Sequence, residues 1–133
     1  MKIYFSGSIR GGRQDAALYR ELINELGKYG QVLTEHIGAE TLDEQLSDEQ
    51  IYETDMNWLR ESDIIIAEIT TASLGVGYEI GEARALGKRI VCLYRPDVTP
   101  RPSAMITGAP DIELFPYSGI DEAREIVREI FDI

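Results

Sequence analysis

The sequence predicts an α/β fold, a doubly wound five-stranded parallel sheet flanked by helices on both faces. Three observations lead there. Five short apolar runs alternate with longer amphipathic ones along the 133 residues. The apolar runs are rich in Ile, Val and Tyr and mostly lack polar alternation, as expected of strands buried on both faces. No linker, internal repeat or low-complexity tract interrupts them, so residues 1–133 read as a single domain. Strict β–α alternation makes the sheet parallel and its crossovers right-handed.

The first strand is KIYFSG, residues 2–7. A helix follows over about 13–28, where Leu18, Leu22 and Leu26 recur at spacing four and Gly30 acts as a stop. QVLT, 31–34, is the second strand. The second helix covers about 48–61, and Ser47 with Gln50 resembles a capping box at its head. DIIIAEI, 63–69, is the third and most apolar strand. The third helix spans about 77–86 and ends at Gly87. RIVCLY (89–94) and IELFPY (112–117) complete the sheet, and the last helix covers about 120–131. In flavodoxin- or Rossmann-like sheets of this kind, ligands bind beyond the carboxyl ends of the strands, where strand order reverses. The residues to inspect therefore follow strand one (7–13), strand three (68–79) and strand four (95–103).

Composition narrows the partners. Apolar residues make up 44% and charged residues 28%, which describes a soluble globular chain. The formal net charge of −11 repels a nucleic-acid backbone and argues against a polymer partner. A small anionic ligand still fits where cations are concentrated. Arg10 and Arg13 flank a glycine pair, and Lys88, Arg89, Arg95 and Arg101 gather later in the chain. The lone Cys92 lies in an apolar strand and reads as a small buried hydrophobe; it excludes an internal disulfide. Neither a signal peptide nor an apolar run long enough to span a bilayer is visible, so a cytoplasmic location without a membrane partner is expected. One His and one Cys do not make a common zinc site, and nothing calls for a metal or organic cofactor.

Two glycine-bearing stretches could hold an anion. GSIRGGR, Gly7–Arg13, sits between the first strand and first helix. Small residues there let backbone N–H groups approach an anion, Ser8 can donate a hydrogen bond and Arg10 can pair with a phosphate. A plain glycine-rich turn is the other reading. The stretch matches neither phosphate-loop nor dinucleotide fingerprints, which discounts ATP or GTP hydrolysis. SLGVGYEIG, Ser73–Gly81, follows the third strand. Its third glycine falls one position late for a nicotinamide site. Ser73 with the Gly75 N–H offers a second grip on a phosphate.

Four further residues read two ways. Glu79 is either an acid favoured by the helix dipole in a first turn or a reacting carboxylate. Asp55 shares a helical face with Ile51 and Leu59, and a buried acid there needs a partner or a task. It either bonds nearby backbone or joins Glu79 as the second carboxylate of a glycosidic-bond-cleaving pair. Tyr4 is a core aromatic or a hydroxyl that steers a carboxylate. His36, at the end of the second strand, packs at the surface or touches a ligand.

YFSGSIRGGRQD, LTEH, DMNWLRESDIIIAE, SLGVGYEIGEARALGK and PSAMITG together closely resemble the 2′-deoxynucleoside 5′-monophosphate N-glycosidases, relatives of the nucleoside 2-deoxyribosyltransferases. The resemblance runs from about residue 2 to 131. It implies hydrolysis of deoxynucleoside monophosphates to free base and deoxyribose 5-phosphate through a covalent glycosyl-enzyme. It implies Glu79 as nucleophile, Asp55 as proton donor and Tyr4 as the group that orients Glu79. Ser8, Arg10, Ser73 and Gly75 would hold the 5′-phosphate, with Ser103 reaching it from a partner subunit. Gly7, Ile9, Gly11, His36 and Met105 complete the implied substrate contacts, Ile9 lying beside a sugar without a 2′ hydroxyl. The resemblance also implies a homodimer with shared active sites. Transfer of the sugar to another base, and a non-catalytic nucleotide-binding module, are the alternative readings. The start of the third helix is expected to keep Glu79 ionised, as a nucleophile requires.

Overall fold

The computed structural model describes residues 1–8, 15–34 and 46–132. Five strands form one sheet: β1 (Lys2–Ser6), β2 (Gln31–Val32), β3 (Ile64–Glu68), β4 (Arg89–Tyr94) and β5 (Ile112–Pro116). Their order is β2-β1-β3-β4-β5, and every neighbouring pair is parallel. The helices are α1 (Ala16–Leu26), α2 (Asp48–Glu61), α3 (Leu74–Ala85), α4 (Ala104–Thr107) and α5 (Ile120–Phe131). The chain moves from β1 outward to β2, then crosses back to β3 and proceeds the other way. The reversal lies between β1 and β3, where an open α/β sheet leaves its ligand crevice.

Alternation along the strands divides the core in two. Ile3 and Phe5 of β1 and Ile64 and Ile66 of β3 pack under α1 and α5, against Leu22, Leu26, Val127 and Ile130. Tyr4, Ile65, Ala67 and Cys92 face the other way, under Met56 and Leu59 of α2 and Val76, Ile80 and Ala83 of α3. Each fully buried Leu or Ile contributes roughly 1.5–3 kcal/mol. Cys92 is fully buried, and burial pushes its thiol up to about 12, as befits a packing residue.

The predicted β4, α2 and α5 coincide with the observed elements, and the capping box of Ser47 and Gln50 is present. β1, α1, β3 and β5 are each shorter than expected at one or both ends, and three further elements differ. α3 starts at Leu74, not near Gly77, because Ser73 caps it: its Oγ accepts from the Val76 N–H at 3.3 Å. Gly75 and Gly77 thus lie inside the helix. Each costs about 1 kcal/mol there against Ala, and the packing of Val76, Ile80 and Ala83 outweighs this. β2 is only two residues long, although the Leu33 N–H still bonds the Ile3 carbonyl at 2.9 Å. The four-residue α4, capped by Ser103, was not legible in the pattern. Gly87 closes α3 with φ at 73°, the left-handed geometry that favours glycine.

Candidate active site

β1 and β3 place the centre of the site. Tyr4 and Ser6 point to one face of β1 by the two-residue period, and both are fully buried. From above, α3 lowers Glu79 onto them. The Tyr4 hydroxyl donates to Glu79 Oε2, and the Ser6 Oγ donates to Oε1 at 3.0 Å. Both carboxylate oxygens are therefore held, which fixes the plane of the group. Ser6 was missed in the sequence. Its signal was there, since it stands two residues beyond Tyr4 on a strand whose opposite face is apolar.

Glu79 lies in the second turn of α3, not the first, because the helix begins at Leu74. The helix start is too far away to govern its charge. Burial instead pushes the carboxyl from 4.5 up to about 8. This corrects the expectation that the site keeps Glu79 ionised at neutral pH. The two donors, Tyr4 and Ser6, favour the carboxylate form but do not offset the desolvation.

A cavity of about 350 Å³ opens beside this carboxyl. Glu79, Tyr78 and Gly75 of α3 line one side; Asp48, Ile51, Tyr52, Asp55 and Met56 of α2 line the other. Volumes of this size suit a small organic ligand. Asp55 is half-buried and shares the cavity with Glu79, so two carboxyl-bearing residues line one cavity from two helices. The Tyr52 and Tyr78 hydroxyls lie 3.0 Å apart and tie the helices together beside it.

The remaining sequence candidates fall into three groups. Ser8 is fully buried, and its Oγ has no hydrogen-bond partner among the described residues. Its N–H is committed to the Tyr19 hydroxyl at 3.1 Å, so it is the side chain that remains for a ligand. Gly7 is required by packing: a Cβ there would stand 2.9 Å from the Tyr19 ring. Ser73 caps α3, Gly75 lines the cavity, and Ser103 and Met105 stand on α4, exposed, outside the set that lines the cavity. Ile9, Arg10, Gly11 and His36 lie outside the described residues.

The later cations do not gather into an anion site. Arg89 pairs with Glu113 at 2.7 Å at the amino end of β4, and Lys88 donates to the Arg60 carbonyl at 2.8 Å. Arg95 leaves β4 at the carboxyl edge but pairs with Asp15 at 2.7 Å, and Arg101 is exposed on the segment that follows. Among the described residues, no group of three His, Cys, Asp or Glu is placed to hold a metal ion. Among them, too, no helix is long and apolar enough to cross a membrane.

The nucleoside 2-deoxyribosyltransferase family model matches residues 3–110. The chain belongs to that family. Within it, the chain is 48% identical to the 5-hydroxymethyl-dUMP N-hydrolase of Esox lucius, over 98% of this chain and 96% of that protein. It is also 48% identical to the 5-hydroxymethyl-dUMP N-hydrolase of Homo sapiens, over 92% of this chain and 73% of the other. The solved structure of a CMP N-glycosidase of Clostridium botulinum superposes with a TM-score of 0.72 at 20% identity, covering 97% of this chain and 99% of that one. That likeness supports the five-stranded parallel architecture described above.

Proposed function

We propose that the protein hydrolyses the N-glycosidic bond of 2′-deoxynucleoside 5′-monophosphates, releasing free base and deoxyribose 5-phosphate. The observation that carries this reading is the paired carboxyl arrangement: Glu79, held at both oxygens by Tyr4 and Ser6, and Asp55 across one cavity. Relatives named for hydrolysis of a deoxynucleotide match nearly the whole chain, which agrees with it.

In this mechanism the Glu79 carboxylate attacks C1′ as the bond from C1′ to the base nitrogen breaks. Asp55 gives its proton to the departing base. Water then attacks C1′, Asp55 takes a proton from it, and the glycosyl ester to Glu79 breaks. Tyr4 and Ser6 stay in place throughout and keep the attacking oxygen aimed. Ser8, Arg10, Ser73 and Gly75 hold the 5′-phosphate, with Gly7, Ile9, Gly11 and His36 beside the sugar and base. Fixing one end of the substrate brings C1′ to the carboxylate, a gain that reaches about 7–11 kcal/mol in ideal models.

The active form in this proposal is a cytoplasmic homodimer with shared sites. α3 supports it, being apolar on two faces. Val76, Ile80 and Ala83 pack on the sheet, while Leu74 is 96% exposed and Tyr78 is exposed beside it. Met105 of α4, 83% exposed, adds to the uncovered apolar surface. Another protein surface covers such patches, and a second copy would carry Ser103 and Met105 to the neighbouring site.

Incubation with the four common deoxynucleoside monophosphates and 5-hydroxymethyl-dUMP tests the activity. Free base and deoxyribose 5-phosphate in equal amounts are expected from at least one. No release from any of them by folded protein rejects the proposal. Adding a second free base separates transfer from hydrolysis: a new nucleotide in place of deoxyribose 5-phosphate would mark a transferase.

A further inference from the structure

Glu68 ends β3, the most apolar strand, and is 0% exposed. A carboxyl at the centre of a sheet is costly unless its oxygens are matched. Here they are. Oε1 accepts from the Thr70 N–H at 2.7 Å, and Oε2 accepts from the Thr70 Oγ1 at 2.9 Å and from the Tyr117 hydroxyl. Arg95 Nε lies 3.5 Å from Oε2, without a hydrogen bond of its own among the described residues. Glu68 shares its strand face with Ile64 and Ile66, which pack under α1 and α5. It therefore lies on the side of the sheet opposite Glu79.

Its partners lead to one end of the molecule. Thr70 is three residues from Ser73, and its Oγ1 also accepts from the Arg95 N–H at 3.0 Å. The Thr70 carbonyl accepts from the Thr99 hydroxyl at 2.6 Å, which joins the exit of β3 to the segment leading to Ser103. Arg95 extends to Asp15 at the head of α1. One turn on, Tyr19 accepts the Ser8 N–H. The Tyr19 hydroxyl is pushed up to about 12, by burial first and by the field of Glu68 next. A single buried carboxyl thus connects the exits of β3, β4 and β5 with both Ser8 and the start of α1.

We propose that Glu68 is a positioning residue for the monophosphate, acting through Thr70, Arg95 and Asp15 on the segments that carry Ser8, Ser73 and Ser103. This rests on the reading of the site given under the proposed function. It adds that phosphate recognition is organised from the far face of the sheet, by a group that touches neither substrate nor cavity.

Deoxyribose 5-phosphate, common to every substrate of the proposed reaction, is the probe. Its dissociation constant is measured by calorimetry for the parent protein and for Glu68→Gln, which keeps the shape and removes the charge. The expected result is binding weakened about tenfold or more, with KM for the deoxynucleotide rising in step and kcat changed less than about threefold. Unchanged affinity overturns the proposal, and so does a kcat that falls as far as the affinity, which is the mark of general structural damage. If Glu68→Gln does not fold, Tyr117→Phe, which removes one hydroxyl, should show the same split at about threefold. Parent protein that releases base yet does not bind deoxyribose 5-phosphate overturns this inference and leaves the catalytic reading standing; parent protein that releases no base overturns both.

Discussion

At the scale of single residues, Glu79 concentrates the conflict between stability and chemistry. Its carboxyl is raised from 4.5 to about 8 by burial, so the folded protein holds this proton more tightly than the unfolded chain. The resulting stability is fully present below pH 4.5 and is lost as pH rises through about 8. Glu79→Gln cannot lose a proton, so its melting temperature should exceed that of the parent at pH 8.5 and the gap should shrink at pH 5. The same substitution should lower kcat by about 10³-fold or more, since it removes the proposed nucleophile. A variant inactive but no more stable at pH 8.5 would contradict the burial argument. For the parent, kcat/KM should climb between pH 6 and 8 as Glu79, the proposed nucleophile, ionises. Tyr4→Phe and Ser6→Ala remove donors that favour the carboxylate, so each should move that rise to higher pH, with kcat down by about 10²-fold for Tyr4→Phe. That Tyr4, Asp55 and Glu79 come together was legible in the sequence because their motifs are long and the resemblance specific. Ser6 and Glu68 were not. Both lie within stretches that carry the resemblance, but nothing local assigns them a task, and their meaning comes from partners 73 and 49 residues away.

At the scale of elements, helix starts set the site. Ser47 and Ser73 do the same local work: each accepts a hydrogen bond from the backbone N–H three residues on, at the head of α2 and α3. Replacing either by Ala should cost about 1 kcal/mol of stability. Only Ser73 stands beside the proposed phosphate site, so only Ser73→Ala should raise KM, with Ser47→Ala remaining within about twofold of the parent kcat/KM. Equal kinetic losses in both would mean that capping alone explains Ser73. Helix and strand placement followed the hydrophobic period closely where packing dominates, as in α2, β4 and α5. It missed where one residue overrides propensity. Gly75 and Gly77 suggested a loop, yet a single serine cap and the sheet below carry α3 back over them, and that shift of three residues moves Glu79 from the first turn into the second.

At the scale of the whole molecule, the fold leaves an apolar helix face and a short capped helix uncovered at the carboxyl edge of the sheet. Leu74 stands at the exposed start of α3, one helical turn from Tyr78 and next to Gly75 of the cavity. A charge there should be tolerated by a monomer and resisted by an apolar interface between copies. Leu74→Glu should therefore convert a dimer into a folded monomer in light scattering, with unchanged helix content and reduced kcat/KM. Sharing of residues is the stronger claim, and mixing distinguishes it. Glu79→Gln lacks the proposed nucleophile but keeps Ser103; Ser103→Ala keeps Glu79 but lacks the proposed phosphate contact. In a mixed dimer with crossed sites, one site has Glu79 from one copy and Ser103 from the other, and both are intact. After random exchange about one quarter of all sites are whole. At low substrate, where loss of a phosphate contact is felt most, the exchanged mixture should exceed the sum of its two parents. If Ser103 instead served the site of its own chain, the mixed dimer would contain one site without the nucleophile and one without the serine, and exchange would add nothing.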